Sequence, residues 1–158
     1  MAVFICLFLF FMDNETILIT EGTMDIEITE YTEEGYKPIV HFEHWKVAIL
    51  NYIDELIVEN IDNMQKHKFT DEVFVLLKGD ITLFTAGDGD EPGEIKKTHL
   101  EPGKAYNVKK GVWHTHTLEE GASCLIIENE ETNDGFDNSP RVSLSDSKRA
   151  ELVKLYRG

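Results

Sequence analysis

Two short segments of the chain concentrate the residue types that bind metals and transfer protons. The first contains Gln65, His67 and Glu72, and the second contains His114 and His116. Side chains two positions apart on a strand point to one face, so Gln65 shares a face with His67, and His114 shares a face with His116. Because the interval between His67 and Glu72 is odd, a bend must separate them if both point inward.

Imidazole and carboxylate groups that face one interior from two strands form a ligand set for Fe, Mn, Ni, Zn or Cu. His116 leaves two interpretations open. At a rise of ~3.3 Å per residue it lies about 7 Å from His114 along a strand, so it either supplies another imidazole or stays unligated. An unligated His116 would be a general acid or base near neutral pH.

The segments that carry these residues have the pattern of short strands separated by turns. Alternating apolar and polar residues predict half-buried strands, whereas the continuous apolar run at 72–77 predicts a strand buried on both faces. Residues 35–38, 87–93 and 101–103 are interpreted as breaks or turns. Such spacing predicts an all-β barrel or sandwich. The predicted strands are residues 24–29, 45–53, 72–77, 81–85, 105–108, 112–118 and 122–128.

The C-terminal part of the chain has a different pattern. Residues 129–140 are acidic, Asn-rich and polar, which predicts a loop after the last core strand. Ser145 and Asp146 resemble a helix N-cap, and residues 148–156 can place Leu152 and Tyr156 on one helical face. The sequence therefore predicts one β domain with a short C-terminal helix.

The two segments resemble two motifs of the cupin superfamily. The first family motif is G-x5-H-x-H-x3–4-E-x6-G, and residues 65–79 read Q-x-H-x4-E-x6-G. The second is G-x5-P-x-G-x2-H-x3-N, and residues 103–114 read G-x5-K-x-G-x2-H. The resemblance implies a cupin-type β-barrel (jelly-roll) that forms a homodimer.

By this resemblance the metal ligands are His67, Glu72 and His114, with Gln65 at the position of the family's first His. The implied cofactor is a divalent transition metal, Fe, Mn, Ni or Zn. A Gln amide oxygen is a neutral and weak donor beside an imidazole, so affinity for a late transition metal should fall.

Three further positions depart from the family pattern. Glu59 stands where the leading Gly of the first motif should be, Lys109 replaces the Pro of the second, and Leu118 replaces its final Asn.

The charge of the chain limits its partners. A formal charge of −15 repels phosphate backbones and anionic lipids, which argues against nucleic-acid and membrane-surface binding. Eight of the 15 basic residues lie between Lys66 and Lys110, and four of them flank the two motifs at the predicted mouth of the barrel: Lys66, Lys68, Lys109 and Lys110. These lysines either favour a small anionic ligand, such as a carboxylate, or protect exposed strand edges against aggregation.

The first 23 residues are interpreted as a non-native or mis-assigned extension, which leaves residues 24–158 as a single domain. The apolar run at 2–12 is about half the ~20 residues that span a bilayer. A secretory signal requires a basic residue before its apolar run, and none precedes this one. We expect the native start at Met24, with a membrane anchor as the competing interpretation. Cys6 and Cys124 make no disulfide framework, which indicates a reduced, cytoplasmic protein.

Several other residues are interpreted as structural. Trp113 alternates against the two His residues and is expected in the core, and Cys124 is expected to be a buried small hydrophobe. His41, His44 and His99 have no partner at ligand spacing and are expected to be structural or exposed.

Three functions remain open, and in the second of them the chain is not an enzyme. The first is a metal-assisted enzyme on a small carboxylate or sugar acid, in which His116 or Glu72 moves a proton. Residues 111–114 are weakly similar to ureidoglycolate lyase-like cupins. The second is a non-catalytic ligand-binding cupin with a degenerate metal site. The third is a metal-free isomerase or epimerase that uses His67 and Glu72 as acid and base.

Overall fold

The computed structural model describes residues 18–20, 25–132 and 138–158, in two units, Met1–Tyr31 and Thr32–Gly158. In the first unit, strand β1 (Leu18–Thr20) pairs antiparallel with β2 (Ile28–Glu30). The strand predicted at 24–29 is wrong in its start, because residues 25–27 precede β2. Met24, the expected native start, lies outside the described residues, so that start stays a prediction.

The second unit consists of two five-stranded antiparallel sheets and a C-terminal helix. Its elements are β3 (Gly35–Phe42), β4 (Trp45–Asn51), a 3₁₀ turn (Asp54–Leu56), β5 (Asn63–Gln65), β6 (Glu72–Lys78), β7 (Ile81–Thr85), β8 (Lys96–His99), β9 (Ala105–Val108), β10 (His114–Leu118), β11 (Ser123–Asn129), β12 (Arg141–Ser143) and α1 (Asp146–Arg157). The first sheet has the order β3-β4-β11-β6-β9, and the second has the order β12-β5-β10-β7-β8.

The main core lies between the two sheets. Leu50 and Phe74 of the first sheet are buried in one cluster with Leu83 and Leu118 of the second. Because strand side chains alternate, each sheet turns one apolar face toward the other. The predicted all-β, cupin-type jelly-roll fold is confirmed by this double-sheet arrangement.

A second core forms where α1 packs on the outer face of the second sheet. Leu152 of the helix is buried with Phe84 and Trp113, which confirms the core position predicted for Trp113. The predicted helix is confirmed and begins at Asp146, because the Ser145 side chain accepts a hydrogen bond from Lys148 N as its N-cap. Among the described helices, none has the length and apolar content to cross a membrane.

Two further predictions about strands are wrong. Residues 35–38 belong to β3, which tolerates Pro38 because it is an edge strand and its register with β4 shifts between Pro38 and Val40. The run at 72–77 is buried on one face, since Glu72 and Phe74 are buried whereas Val73 is half-buried. The three- and four-residue strands β5, β8 and β12 have too little periodicity to be predicted.

We expect Gly79→Ala to destabilise the fold more than Gly103→Ala. Both glycines have positive φ, +73° and +78°, so each alanine costs about 1–2 kcal/mol. A Cβ at Gly79 would also lie 2.6 Å from Ala122 Cα, whereas a Cβ at Gly103 meets no described atom within 4 Å. The clash should lower the free energy of unfolding by about 1–3 kcal/mol more in urea titrations. Equal losses in the two variants would contradict the close approach.

Candidate metal centre

The three predicted metal ligands converge at one end of the interior. Glu72 begins β6 in the first sheet, and His114 begins β10 in the second. His67 lies in the connection between β5 and β6, whose residues 66–71 supply the expected bend. The exposed fractions are 4% for His67, 3% for Glu72 and 1% for His114, so all three side chains are shielded from solvent.

The distances within this trio are those of groups around a common point. His114 Nε2 lies 2.7 Å from Glu72 Oε2, and His67 Nε2 lies 3.3 Å from the same oxygen. One ligand atom from each residue lies within 4.8 Å of the other two. Apart from these contacts with one another, the three buried atoms have no hydrogen-bond partner among the described residues. Buried ligand atoms that converge on one point and meet only one another fit a cation site.

Each imidazole is oriented by its other ring nitrogen. His114 Nδ1 lies 2.9 Å from the Val112 carbonyl oxygen, to which it can only donate. His67 Nδ1 lies 2.8 Å from the Ser139 hydroxyl. Both contacts turn Nε2 toward Glu72, as expected for metal-binding histidines. Nothing in the sequence marks Ser139, which lies 72 residues beyond His67.

The electrostatics of the trio are dominated by its internal contacts. Burial would raise the pKa of Glu72, but the contacts with His114 and His67 outweigh it and hold that pKa well below its usual range. Burial would lower the pKa of His114, but the neighbouring Glu72 raises it. Metal ligation requires a neutral imidazole, so the raised pKa of His114 opposes metal binding at low pH.

His116 occupies a separate position on the same face of β10. Its ring centroid is 5.5 Å from that of Phe74, and its buried Nδ1 has no hydrogen bond within the described part of the chain. Burial lowers the pKa of His116 to about 4, so the ring is neutral at pH 7. The cluster of candidate ligands among the described residues does not include it. Its predicted catalytic role stays a prediction.

Gln65 is close to the trio but is held by another residue. It is paired in register with His114 on β10 and with Arg141 on β12. Its Oε1 accepts hydrogen bonds from Arg141 Nη2 at 3.0 Å and Nε at 3.3 Å. Its role as a metal ligand stays a prediction.

A cavity of about 480 Å³ extends from this end of the barrel. Lys68 and Lys110, predicted at its mouth, are not among its described lining residues. Nor is Lys66, whose Nζ lies 4.5 Å from the centroid of Trp113. The basic residues of the cavity wall are Arg141 on β12 and Arg149 on α1. Strand β12 was not predicted. The cavity is lined by Glu55, Leu56, Asn60, Ile61, Asp62, Asn63, Gln65, His114, Thr115, His116, Arg141 and Arg149.

A buried carboxylate that was not predicted, that of Glu128, lies near His67. Glu128 Oε2 is 4.0 Å from His67 Nε2, and Oε1 accepts a 2.5 Å hydrogen bond from the Tyr36 hydroxyl. Lys46 Nζ, itself buried, lies 3.7 Å from the same Oε1. Burial raises the pKa of Glu128, and the charge of Glu72 adds to that effect. The alternation of residues 122–128 already places Glu128 on the buried face with Cys124 and Ile126.

The remaining structural interpretations are confirmed. His41, His44 and His99 are exposed, and His99 Nδ1 lies 3.2 Å from Asp80. Cys124 is buried, which raises the pKa of its thiol to about 12 and makes it a poor nucleophile.

The chain is similar to several proteins of known structure. A cupin-2 domain containing protein from Shewanella frigidimarina is 19% identical over 63% of this chain and 85% of that one, with a TM-score of 0.46. KdgF from Halomonas sp. is 14% identical over 64% and 82%, with a TM-score of 0.47. An Fe(II) form of HppE is 17% identical over 74% and 57%, with a TM-score of 0.46. Likeness at this level concerns the fold alone.

The sequence comparisons give no further assignment. No family model matches the chain, and no curated protein matches it.

We expect Ser139→Ala to destabilise the protein, because it removes the hydroxyl that is hydrogen-bonded to a buried ring nitrogen, His67 Nδ1. An unsatisfied buried polar group costs about 1–3 kcal/mol, measurable in urea unfolding of the metal-free protein. The control is Ser143→Ala, an exposed position on β12, which should change the free energy of unfolding by less than about 0.5 kcal/mol. A loss for Ser139→Ala no larger than the control would show that this contact does not fix the ring.

Proposed function

We propose that the chain is a small metal-dependent enzyme of cupin type that acts on a small carboxylate or sugar acid. In this proposal His67, Glu72 and His114 hold one divalent transition metal, Fe, Mn, Ni or Zn. The observation that carries it is the convergence of their three buried ligand atoms, which have no hydrogen-bond partner outside the trio among the described residues. Two histidines and one carboxylate leave coordination positions open, an arrangement suited to catalysis.

The cavity supports a small anionic substrate. Its volume of about 480 Å³ is within the range of small-molecule sites. Arg141 and Arg149 contribute guanidinium groups, whose positive charge attracts a carboxylate. Glu55 and Asp62 add acceptors that can receive hydrogen bonds from hydroxyl groups, as a sugar acid would provide.

The proposed division of labour follows from these positions. When bound, the metal would supply Lewis-acid polarisation of a substrate oxygen. Arg141 orients the carboxylate, and His116, whose Nδ1 is not hydrogen-bonded to a described residue, exchanges a proton with the substrate in the cavity. Glu72 serves as a ligand in this scheme. Homodimerisation and a cytoplasmic location remain predictions.

A second candidate is a metal-free isomerase or epimerase. The 2.7 Å contact between Glu72 and His114 and the 3.3 Å contact to His67 favour it, because they bring acid and base groups together. There Glu72 and His67 would transfer the protons directly. Bound metal separates this candidate from the first.

Metal content is the first test of the proposal. Mass spectrometry of the full chain, after incubation with Fe, Mn, Ni and Zn in turn, should find about one ion per chain. His114→Ala should lose that metal, because two ligands remain. The control, His99→Ala, also removes a histidine near a carboxylate but at an exposed site, and it should keep the metal. A wild-type chain without metal would overturn the proposal, and turnover by that chain would support the metal-free candidate.

Substrate recognition gives a second test. Loss of a hydrogen bond to a charged group costs about 1.5–3 kcal/mol. Arg141→Ala should therefore lower kcat/KM about 10- to 100-fold for any substrate found in a panel of hydroxy acids and sugar acids, with metal content unchanged. Arg157→Ala removes an exposed guanidinium that pairs with Glu59 outside the cavity, and it should leave kcat/KM unchanged. Equal rates for wild type and Arg141→Ala would contradict the proposed carboxylate site.

A further inference from the structure

We infer that the outer face of the first sheet binds a second copy of this chain. The outer face is formed by the side chains that alternate with the buried ones on β4, β6 and β11, so it points away from the main core. It is independent of the proposed function, because Glu72 lies on the inner side of the same sheet. The centre of the outer face consists of Val47, Ile49, Val73, Val75, Leu125 and Ile127.

These central side chains form two rows across three neighbouring strands. In the first row, Leu125 on β11 lies opposite Ile49 on β4 and Val75 on β6. In the second row, Ile127 lies between its partners on the same two strands. The solvent side of an antiparallel sheet commonly has polar residues, but every position in these rows is aliphatic. Directly opposed side chains touch, so the rows make one continuous apolar surface.

The margin of the outer face next to β3 is apolar and exposed as well. Phe42 on β3 is 56% exposed, and Trp45 on β4, which is in register with it, is 42% exposed. Exposed aromatic residues, Trp above all, contribute much of the binding energy at protein interfaces. Helix α1 packs on the other sheet, with Phe84 and Trp113, so this helix does not cover the outer face.

The distribution of charge favours a second copy over a partner of opposite charge. The chain has a net charge of −15, yet these three described strands place no charged side chain on the outer face. A basic partner would be recognised through acidic groups, which the outer face does not offer. Two like-charged copies can meet only where such charges are absent. Charged side chains such as Lys37 on β3 and Lys78 at the end of β6 lie at its margin, as in the polar rim of an interface.

The size and shape of the outer face suit a contact between two copies. Strands β4, β6 and β11 have seven residues each. With strands about 4.8 Å apart and a rise of about 3.3 Å per residue, the five-stranded face covers about 500 Å². Two such faces bury about 1,000 Å² in total, which is the lower limit for a specific interface. A flat apolar face is also complementary to itself, as a two-fold contact requires.

The test is the dissociation constant of the dimer, measured by analytical ultracentrifugation of the full chain. Ile127→Lys should raise that constant at least about 100-fold, because the two-fold contact brings two uncompensated charges into an apolar interface. Trp45→Ala should raise it at least about tenfold, since it removes an aromatic anchor. The matched control is Phe69→Lys, which makes the same charge change at an apolar side chain that is 77% exposed outside the outer face, and it should leave the dissociation constant unchanged.

Salt gives an independent measurement. Two negatively charged copies repel each other, and salt screens that repulsion. Raising the salt concentration from about 0.05 M to about 0.5 M should therefore strengthen the dimer. A dimer that weakens with salt would be held by ion pairs and would contradict an apolar contact. Circular dichroism verifies that each variant has folded, and Leu77→Lys, at an exposed outer position of β6, replaces Ile127→Lys if the latter does not fold.

The remaining outcomes identify other occupants. A full chain that is monomeric at about 100 μM overturns the inference. If that monomer binds an apolar fluorescent dye and Ile127→Lys abolishes the binding, the outer face is open to a different protein. If it binds no dye, another part of the same chain covers the outer face. A dimer that Ile127→Lys, Leu77→Lys and Trp45→Ala leave unchanged also overturns the inference, because the two copies then meet elsewhere.

Discussion

The fold of this protein is constrained by the burial of one carboxylate, that of Glu72, at the start of β6. A charged group with 3% exposure is tolerated only where partners are provided. Those partners come from elsewhere in the fold: His114 from the facing sheet and His67 from the preceding bend. The register of β6 is therefore decisive, because a shift by one residue would expose Glu72 and bury Val73 in its place.

The two motif segments are also joined outside the trio. Asp71 accepts hydrogen bonds from Lys109 Nζ and Lys110 N, both at 2.8 Å, and from Asn107 Nδ2 at 2.9 Å. These hydrogen bonds, with that of Lys109 as the largest cause, lower the pKa of Asp71 to about 2. The backbone of Gly111 donates to the His67 carbonyl at 2.7 Å. The loop that leads to His114 is thus fixed to the segment that carries His67 and Glu72.

The directions of His67, Glu72 and His114 follow from strand alternation and a short bend, and both can be read locally. That the three side chains meet was implied by the resemblance to the cupin motifs, because spacing within one segment does not show how the two sheets face each other. Ser139 and Arg141 could not be predicted, because their contacts with His67 and Gln65 depend on the pairing of β12 with β5. Each of those strands has three residues, too few for a periodic pattern.

The position of β12 at one edge of the second sheet separates two parts of the site. β12 has three residues and pairs with β5 in the described sheet, whereas β6 and β10, which carry Glu72 and His114, lie inside their sheets. Short edge segments open locally at a lower free energy than central strands. Such an opening would withdraw Arg141 from the cavity wall while Glu72 and His114 keep their places.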